Sequence, residues 1–403
     1  MPGRWAAIVH DRLMAAPAMT TLATRRIIAG RAIRGFVDGL VSVSLAIYLL
    51  SLGFSKAQIG AIVTGTLLGS AALTLLVGLA AHRVAVRTVL LGSCALMCAT
   101  GIGFAATSTF VPILLVAVVG TLNPSGGDVS VFLPTEQGFL ANEVSAEGRP
   151  RLFARYNLGG TLAGALGALA SGSRYLGGRS GFVLYAIAAV VIAAIYLQLP
   201  AERAAGADRR PLQKSRAVVL RLAALFSLDS AASGLTVTAL LVLWLHLRFD
   251  LSRQVTAGVF FAAGLLGAAS QLLAGRLVAR IGLIRTMVFT HLPANGLLIL
   301  AAFAPWSWLA IGLLLLRALF AQMDVPARQA FVMAVVPPEE RAAAAGVTNV
   351  PRSLASATTP FIAGILLQHS HFGWPLVIAG AMKIVYDLTL LVMFRDVPEE
   401  FVG

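Results

Sequence analysis

Charged residues are scarce in this 403-residue chain, at 12% of its length, where a soluble domain carries about 25%. Acidic ones are scarcer still, 17 Asp and Glu against 31 Lys and Arg, while 58% of the residues are hydrophobic. A mean hydropathy of +0.86 excludes a soluble globular domain and predicts a multi-pass protein of the lipid bilayer. Cysteine is nearly absent. The two present, Cys94 and Cys98, lie one helical turn apart in an apolar run, which excludes a disulfide framework and a cysteine-rich metal module. The first 30 residues hold Arg4, Arg12, Arg25 and Arg26 but no apolar stretch ahead of a small-residue cleavage site, so no segment is expected to be removed; Met14 and Met19 are alternative starts. Also missing is any Gly-rich loop ending in Lys-Ser/Thr, which argues against direct ATP drive and leaves no cofactor expected. No paired His/carboxylate metal site and no nucleophile with a base appears, so neither a bound metal nor an enzyme is expected.

What is there are apolar runs long enough to cross a bilayer, which takes roughly 20 residues at about 1.5 Å each. Twelve are predicted, at 31–52, 57–79, 88–107, 110–140, 152–171, 180–199, 217–247, 254–275, 286–304, 306–324, 343–367 and 374–394. The fourth and seventh are overlong. The fourth contains Asn123-Pro124-Ser125-Gly126-Gly127 followed by Asp128, which cannot continue a helical ladder, and a kink or break is expected there.

Basic residues fix the orientation. With the N-terminus inside, nineteen Lys and Arg fall in cytoplasmic segments and five (Lys56, Arg174, Arg179, Arg248 and Arg253) in outer ones. That bias predicts cytoplasmic termini in a cytoplasmic (inner) membrane. It also accounts for the net charge of +14 without any nucleic acid. A cytoplasmic segment 1–30, a six-helix unit 31–199, a polar cytoplasmic loop 200–216, a second unit 217–394 and a cytoplasmic tail 395–403 follow.

The mid-chain loop invites a search for a repeat. A shift of 192 lays Pro134, Gln137, Phe139, Glu147, Arg149 and Asn157 onto Pro326, Gln329, Phe331, Glu339, Arg341 and Asn349. Polar identities at fixed spacing are far rarer by chance than Leu or Ala matches, so two homologous halves are predicted.

The loop between spans two and three reads Gly78-Leu79-Ala80-Ala81-His82-Arg83-Val84-Ala85-Val86-Arg87, and its partner in the second half runs from Gly275 and Arg276 through Arg280, Ile281 and Gly282 to Arg285. With twelve spans and the repeat, this resembles the major facilitator superfamily of secondary transporters, in its prokaryotic twelve-span form. Where members of that family carry Asp-Arg, this chain has His82 and Ala279 in place of the Asp. The resemblance implies an all-α fold of two pseudo-symmetric six-helix bundles that alternate access to a small-molecule substrate, a monomer, and a cytoplasmic gate built on Gly78, Arg83, Arg87, Gly275, Arg280, Gly282 and Arg285. Drug-antiporter members carry a Gly-rich fifth span ending in Gly-Pro; here Gly159, Gly160, Gly164, Gly167 and Gly172 are present without the proline. Proton-coupled efflux is the expectation, with an uncoupled facilitator or an importer as the alternative.

Charges within spans carry the mechanism, because each costs roughly 2.5–3.5 kcal/mol at a helix centre on insertion scales. Asp38 in span one and Asp229 in span seven occupy matched depths. Either they couple protons or contact a cation, or each neutralises a nearby Arg such as Arg34 or Arg317. Asp324 and Asp128 lie near the cytoplasmic face, where they either form gating pairs with Arg155, Arg328 or Arg352 or contact substrate. Arg317, near the middle of span ten, binds an anionic substrate or pairs with Asp229 or Asp387. Lys383 and Asp387, four apart, are expected to neutralise each other. Histidines, His291 included, read as scattered over loops and span ends. The broken fourth span, from Asn123 and Pro124 through Gly126, Gly127 and Asp128, is the candidate substrate segment.

Overall fold

In the computed structural model, described for residues 21–80, 84–125, 130–144, 148–200, 215–337 and 340–394, the chain is all-α, with fifteen helices among those residues. Ten spans are long and apolar enough to cross a membrane. An interrupted fourth span and the Gly-rich fifth bring the number to twelve. The first half holds α1 (Leu22–Ser51), α2 (Lys56–Ala80), α3 (Val86–Ala106), α4 (Phe110–Val119), α5 (Phe132–Asn142), α6 (Arg149–Ala170) and α7 (Arg179–Tyr196). The second holds α8 (Arg216–Leu235), α9 (Thr238–Phe249), α10 (Arg253–Ile281), α11 (Leu283–Phe303), α12 (Ser307–Phe320), α13 (Asp324–Val335), α14 (Arg341–His369) and α15 (Trp374–Phe394).

Helix boundaries differ from the sequence expectation at several places. The first helix starts at Leu22 rather than at 31, because Thr21 caps it by accepting the Thr24 N–H. In the fourth span α4 ends at Val119 and α5 begins at Phe132, with 120–125, 130 and 131 outside any helix, so the break begins before the Asn-Pro-Ser-Gly-Gly motif; residues 126–129, Gly126, Gly127 and Asp128 among them, lie outside the described residues. Spans seven and ten, read as continuous, also break, at Thr236–Val237 and at 321–323. Neither site contains a proline or glycine, which is why periodicity gave no sign of them.

Packing repeats between the halves. α1 lies on α6 as α8 lies on α14, α3 on α7 as α11 on α15, and α2 on α4 as α10 on α12. The halves meet through α2 against α14 and α6 against α10. Such close packing without a hydrophobic drive requires small residues, and α1 and α6 supply them. A Cβ on Gly39 would lie 2.0 Å from the Gly164 carbonyl oxygen, and one on Gly167 would lie 1.7 Å from that of Phe36. Backbone cannot yield cheaply, so Gly167→Ala should destabilise the protein by about 1–3 kcal/mol. Gly159→Ala, whose new methyl would meet only Ile28 at 4.0 Å, is the control. Thermal unfolding of both variants in detergent checks this, and equal melting would contradict the packing.

Elsewhere the bundle presents lipid-facing apolar side chains such as Leu76, Val111, Leu115, Ile187 and Val392, each more than half exposed. Trp306 and Trp308 stack at 5.5 Å where α12 begins, and Trp374 opens α15. All three sit at the end of the bundle away from Leu22 and Phe394, as aromatic residues do at a membrane interface.

Candidate functional site

Each half buries one ion pair between its first and fourth spans, with the charges exchanged. In the first half, α1 supplies Arg34 and α5 supplies Glu136, at 2.5 and 2.8 Å in a two-pronged contact, with the side chains 1% and 0% exposed. Glu136 also accepts the hydroxyls of Tyr156 and of Tyr196, the latter at 2.6 Å. Arg34 stacks over the Phe132 ring at 4.4 Å. In the second half, α8 supplies Asp229 and α13 supplies Arg328, 3.1 Å apart. Glu136 and Arg328 are 192 residues apart, the repeat shift itself, so the same structural position holds a carboxylate in one half and a guanidinium in the other.

The second half builds a larger network on this pair. Asp229 accepts Lys383 Nζ at 2.6 Å on one oxygen and Arg328 on the other. Arg328 also pairs with Asp324, one turn back, at 3.3 Å. Lys383 gives a further hydrogen bond to Ser233 at 2.8 Å. Asp387 turns instead to α11: it contacts His291 Nδ1 at 2.9 Å and accepts the Asn295 amide at 3.0 Å. The other ring nitrogen of His291 is 4.0 Å from Asp229. Arg352 of α14 donates to Ser230 at 2.9 Å.

Several expectations change with these contacts. Lys383 and Asp387, although four apart on one helix, do not pair with each other but reach across to α8 and α11, where deeper burial makes partners more valuable. His291 sits in the body of α11, 5% exposed, not at a span end. Arg34, read as a cavity or coupling charge, is committed to Glu136. Asp324 and Arg328 do pair, within their own half, and Arg328 also meets Asp229. Glu136 and Asn295 were not singled out by sequence.

Asp38 and Asp229 occupy matched helices yet differ in surroundings. Asp229 is fully engaged; Asp38 is 4% exposed and its Oδ1 has no hydrogen-bond partner. Its neighbours are Asn123 at the interruption of the fourth span, Tyr185 of α7, and the charges of Arg31 and Arg34. No ion pair within 4.0 Å joins Asp38 to an arginine among the described residues. Arg317 is likewise unpaired with Asp229 or Asp387, contrary to the pairing weighed from sequence. Its place in the last turn of α12 favours a cation by about 0.3–1 kcal/mol, well short of the roughly 2.5–3.5 kcal/mol that a mid-membrane charge costs.

The broken fourth span faces protein, as backbone without helical partners must. Asn123 is 1% exposed, the Pro124 carbonyl accepts the Ala239 N–H at 3.2 Å, and the Ser125 carbonyl accepts the Thr238 hydroxyl at 2.8 Å. The interruptions of spans four and seven therefore clasp each other across the two halves. Further hydrogen bonds between the halves lie toward the end away from Leu22: Lys56 N–H to Gln368 at 3.0 Å and Phe361 N–H to Thr64 at 2.9 Å. At the opposite end α5 and α13 pack on helices of their own halves.

Of the motif loops, Arg83 lies outside the described residues. Arg87 donates to the Leu199 carbonyl at 3.4 Å. Gly282 adopts φ +83 between α10 and α11, a conformation that suits glycine. Arg280 and Arg285 flank it as exposed side chains, and a Cβ on Gly275 would meet open space. Gly78 would also have room for a Cβ.

The Major Facilitator Superfamily model matches residues 27–323 and 292–401. An uncharacterized membrane protein of Saccharomyces cerevisiae is 25% identical, over 89% of this chain and 91% of its own length. In fold the chain is similar to the nucleoside transporter NupG in a mutant form (TM-score 0.74, 15% identity, 93% of this chain and 100% of that one). It is also similar to a D-xylose-proton symporter (TM-score 0.73, 16% identity, 94% and 98%). A third structure of the same fold is a bacterial homolog of the human lysosomal transporter Spinster, inward-facing and unoccupied (TM-score 0.70, 13% identity, 92% and 95%). With the family model matched over nearly its whole length and the two exchanged halves in place, the chain belongs to the Major Facilitator Superfamily of membrane transporters.

Proposed function

We propose that this protein is a secondary active transporter that moves a small molecule by alternating access and couples it to protons through Asp38, with export the expected direction. One observation supports the reading above others: a buried carboxylate with an unpartnered oxygen stands beside the interruption of span four, while Glu136, Asp229 and Asp324 each have a basic partner and both oxygens of Asp387 are held by His291 and Asn295. An ionised carboxylate in that position is disfavoured unless it gains a proton or meets water. Opening and closing the pathway around Asp38 exchanges those two conditions, so proton uptake and release follow the conformational cycle.

The clasp between spans four and seven supports alternating access. It joins the halves at mid-span, and Lys56–Gln368 and Phe361–Thr64 join them nearer the end away from Leu22, while the near-end segments α5 and α13 pack on their own halves. With the orientation set by the positive charges, the hydrogen bonds between the halves lie toward the outer side.

Proteoliposomes containing a pH-sensitive dye test the coupling. Addition of a transported solute should shift internal pH with wild-type protein, and the sign of the shift relative to the solute gradient distinguishes export by antiport from symport. Asp38→Asn should abolish the shift. Solute flux without any proton movement, unaffected by a protonophore, would make the protein an uncoupled facilitator instead.

A further inference from the structure

Arg317 is left over when the charges of the second half are matched to one another. Both oxygens of Asp229 are taken by Lys383 and Arg328, both oxygens of Asp387 by His291 and Asn295, and Asp324 pairs with Arg328. Arg317 lies close enough to Asp229 for their charges to interact, yet within 4.0 Å of no carboxylate among the described residues. Its Nε is buried and has no hydrogen-bond partner.

The direction in which Arg317 points follows from the stripe it belongs to. Along α12, Trp308 and Leu316 are 66% and 47% exposed and face lipid, whereas Ala310 and Leu314 are 0% and 7% exposed. Arg317 stands seven residues after Ala310 and three after Leu314, on the protein-facing side. It is nonetheless only half-buried. Its stripe is the face of α12 turned away from the lipid-exposed Trp308 and Leu316. It lies one turn before the 321–323 interruption of span ten, the counterpart in the second half of the span-four interruption beside Asp38.

We propose that Arg317 is the contact for an anionic group, a carboxylate or a phosphate ester, on the transported solute. A guanidinium offers such a group two parallel N–H donors, and here Nε carries one that nothing in the protein satisfies. The proposal rests on the transport reading and narrows its substrate to organic anions. An anionic lipid headgroup presents the same chemistry, so the test separates the two sources.

Purified wild type, Arg317→Lys and Arg317→Gln are compared by thermal shift in lipid-free detergent. The probes are benzoate, succinate and glucose 6-phosphate as anions, tetraphenylphosphonium as a cation and D-xylose as a neutral sugar. A parallel arm adds phosphatidylglycerol. The expected result is stabilisation of wild type by at least one soluble anion, about tenfold weaker binding by Arg317→Lys, which keeps the charge but loses the fork, and no response from Arg317→Gln. Silence from all three anions, equal stabilisation of wild type and Arg317→Gln, or an Arg317-dependent shift with phosphatidylglycerol alone would overturn the proposal. Should Arg317→Gln fail to fold, the comparison of wild type with Arg317→Lys decides, and equal affinities would overturn it. Flux of D-xylose or tetraphenylphosphonium into proteoliposomes, unchanged in the Arg317 variants, would leave the transport reading standing and remove the anion from it.

Discussion

Glu136→Ala is expected to lower stability by about 3–5 kcal/mol, the usual consequence of removing one partner from a buried ion pair. The reason is what remains: Arg34, 1% exposed, keeps its charge without an ion-pair contact among the described residues, and the hydroxyls of Tyr156 and Tyr196 lose their acceptor. Removing both charges together should be milder, because a buried pair replaced by apolar side chains of similar volume leaves nothing uncompensated. Arg34→Met with Glu136→Leu should therefore melt above Glu136→Ala, although the two tyrosine hydroxyls still lack a partner. Tryptophan fluorescence melting in detergent reads both. A single variant that melts with wild type would show that the pair does not organise the first half.

The second large effect separates two aspartates that look alike in sequence. Asp229→Asn leaves Lys383 and Arg328 facing a neutral amide, with only Asp324 to share. It is expected to fold poorly, with a loss again about 3–5 kcal/mol. Asp38→Asn removes no ion pair. An amide satisfies Asn123 and Tyr185 about as well as a carboxyl group, so the protein should fold and melt near wild type. What it should lose is gradient-driven accumulation, altogether, while exchange of solute between equal concentrations continues. Size-exclusion yield and melting, read beside transport, check the contrast. If Asp229→Asn were the stable, uncoupled variant and Asp38→Asn the unstable one, the roles would be reversed.

Much of the architecture was legible because a bilayer imposes simple rules. Span length and the polar identities at a shift of 192 led to twelve helices in two halves. The charge exchange was hidden for a related reason: a repeat search scores identity, and Glu136 over Arg328 is the most dissimilar pair available. Opposite charges at repeat-matched positions were the signal that could have found it. His291 was misplaced because span nine was begun at 286, whereas Gly282 turns the chain directly from α10 into α11 at Leu283. Partners such as Lys383 and Asp229, 154 residues apart, cannot be read from helical spacing, and the i, i+4 rule favoured Asp387 instead. The breaks at Thr236–Val237 and 321–323 lacked proline or glycine; tertiary contacts, such as the Pro124 carbonyl on the Ala239 N–H, hold the first of them.

The central claim is that protonation of Asp38 governs which end of the pathway is open, and it can be measured before any substrate is known. Spin labels at Ser51→Cys and His371→Cys, exposed positions of the two halves at the end away from Leu22, report that end in a background with Cys94 and Cys98 replaced by Ala. Distances are recorded at about pH 4 and about pH 9, on either side of ordinary and strongly perturbed carboxyl values. Acid should enrich the short distance that goes with the hydrogen bonds joining the halves toward that end here, since a proton removes the charge that burial penalises, and Asp38→Asn should hold the short distance at both pH values. A wild-type distribution that ignores pH, or an Asp38→Asn variant that shifts as wild type does, would contradict the account.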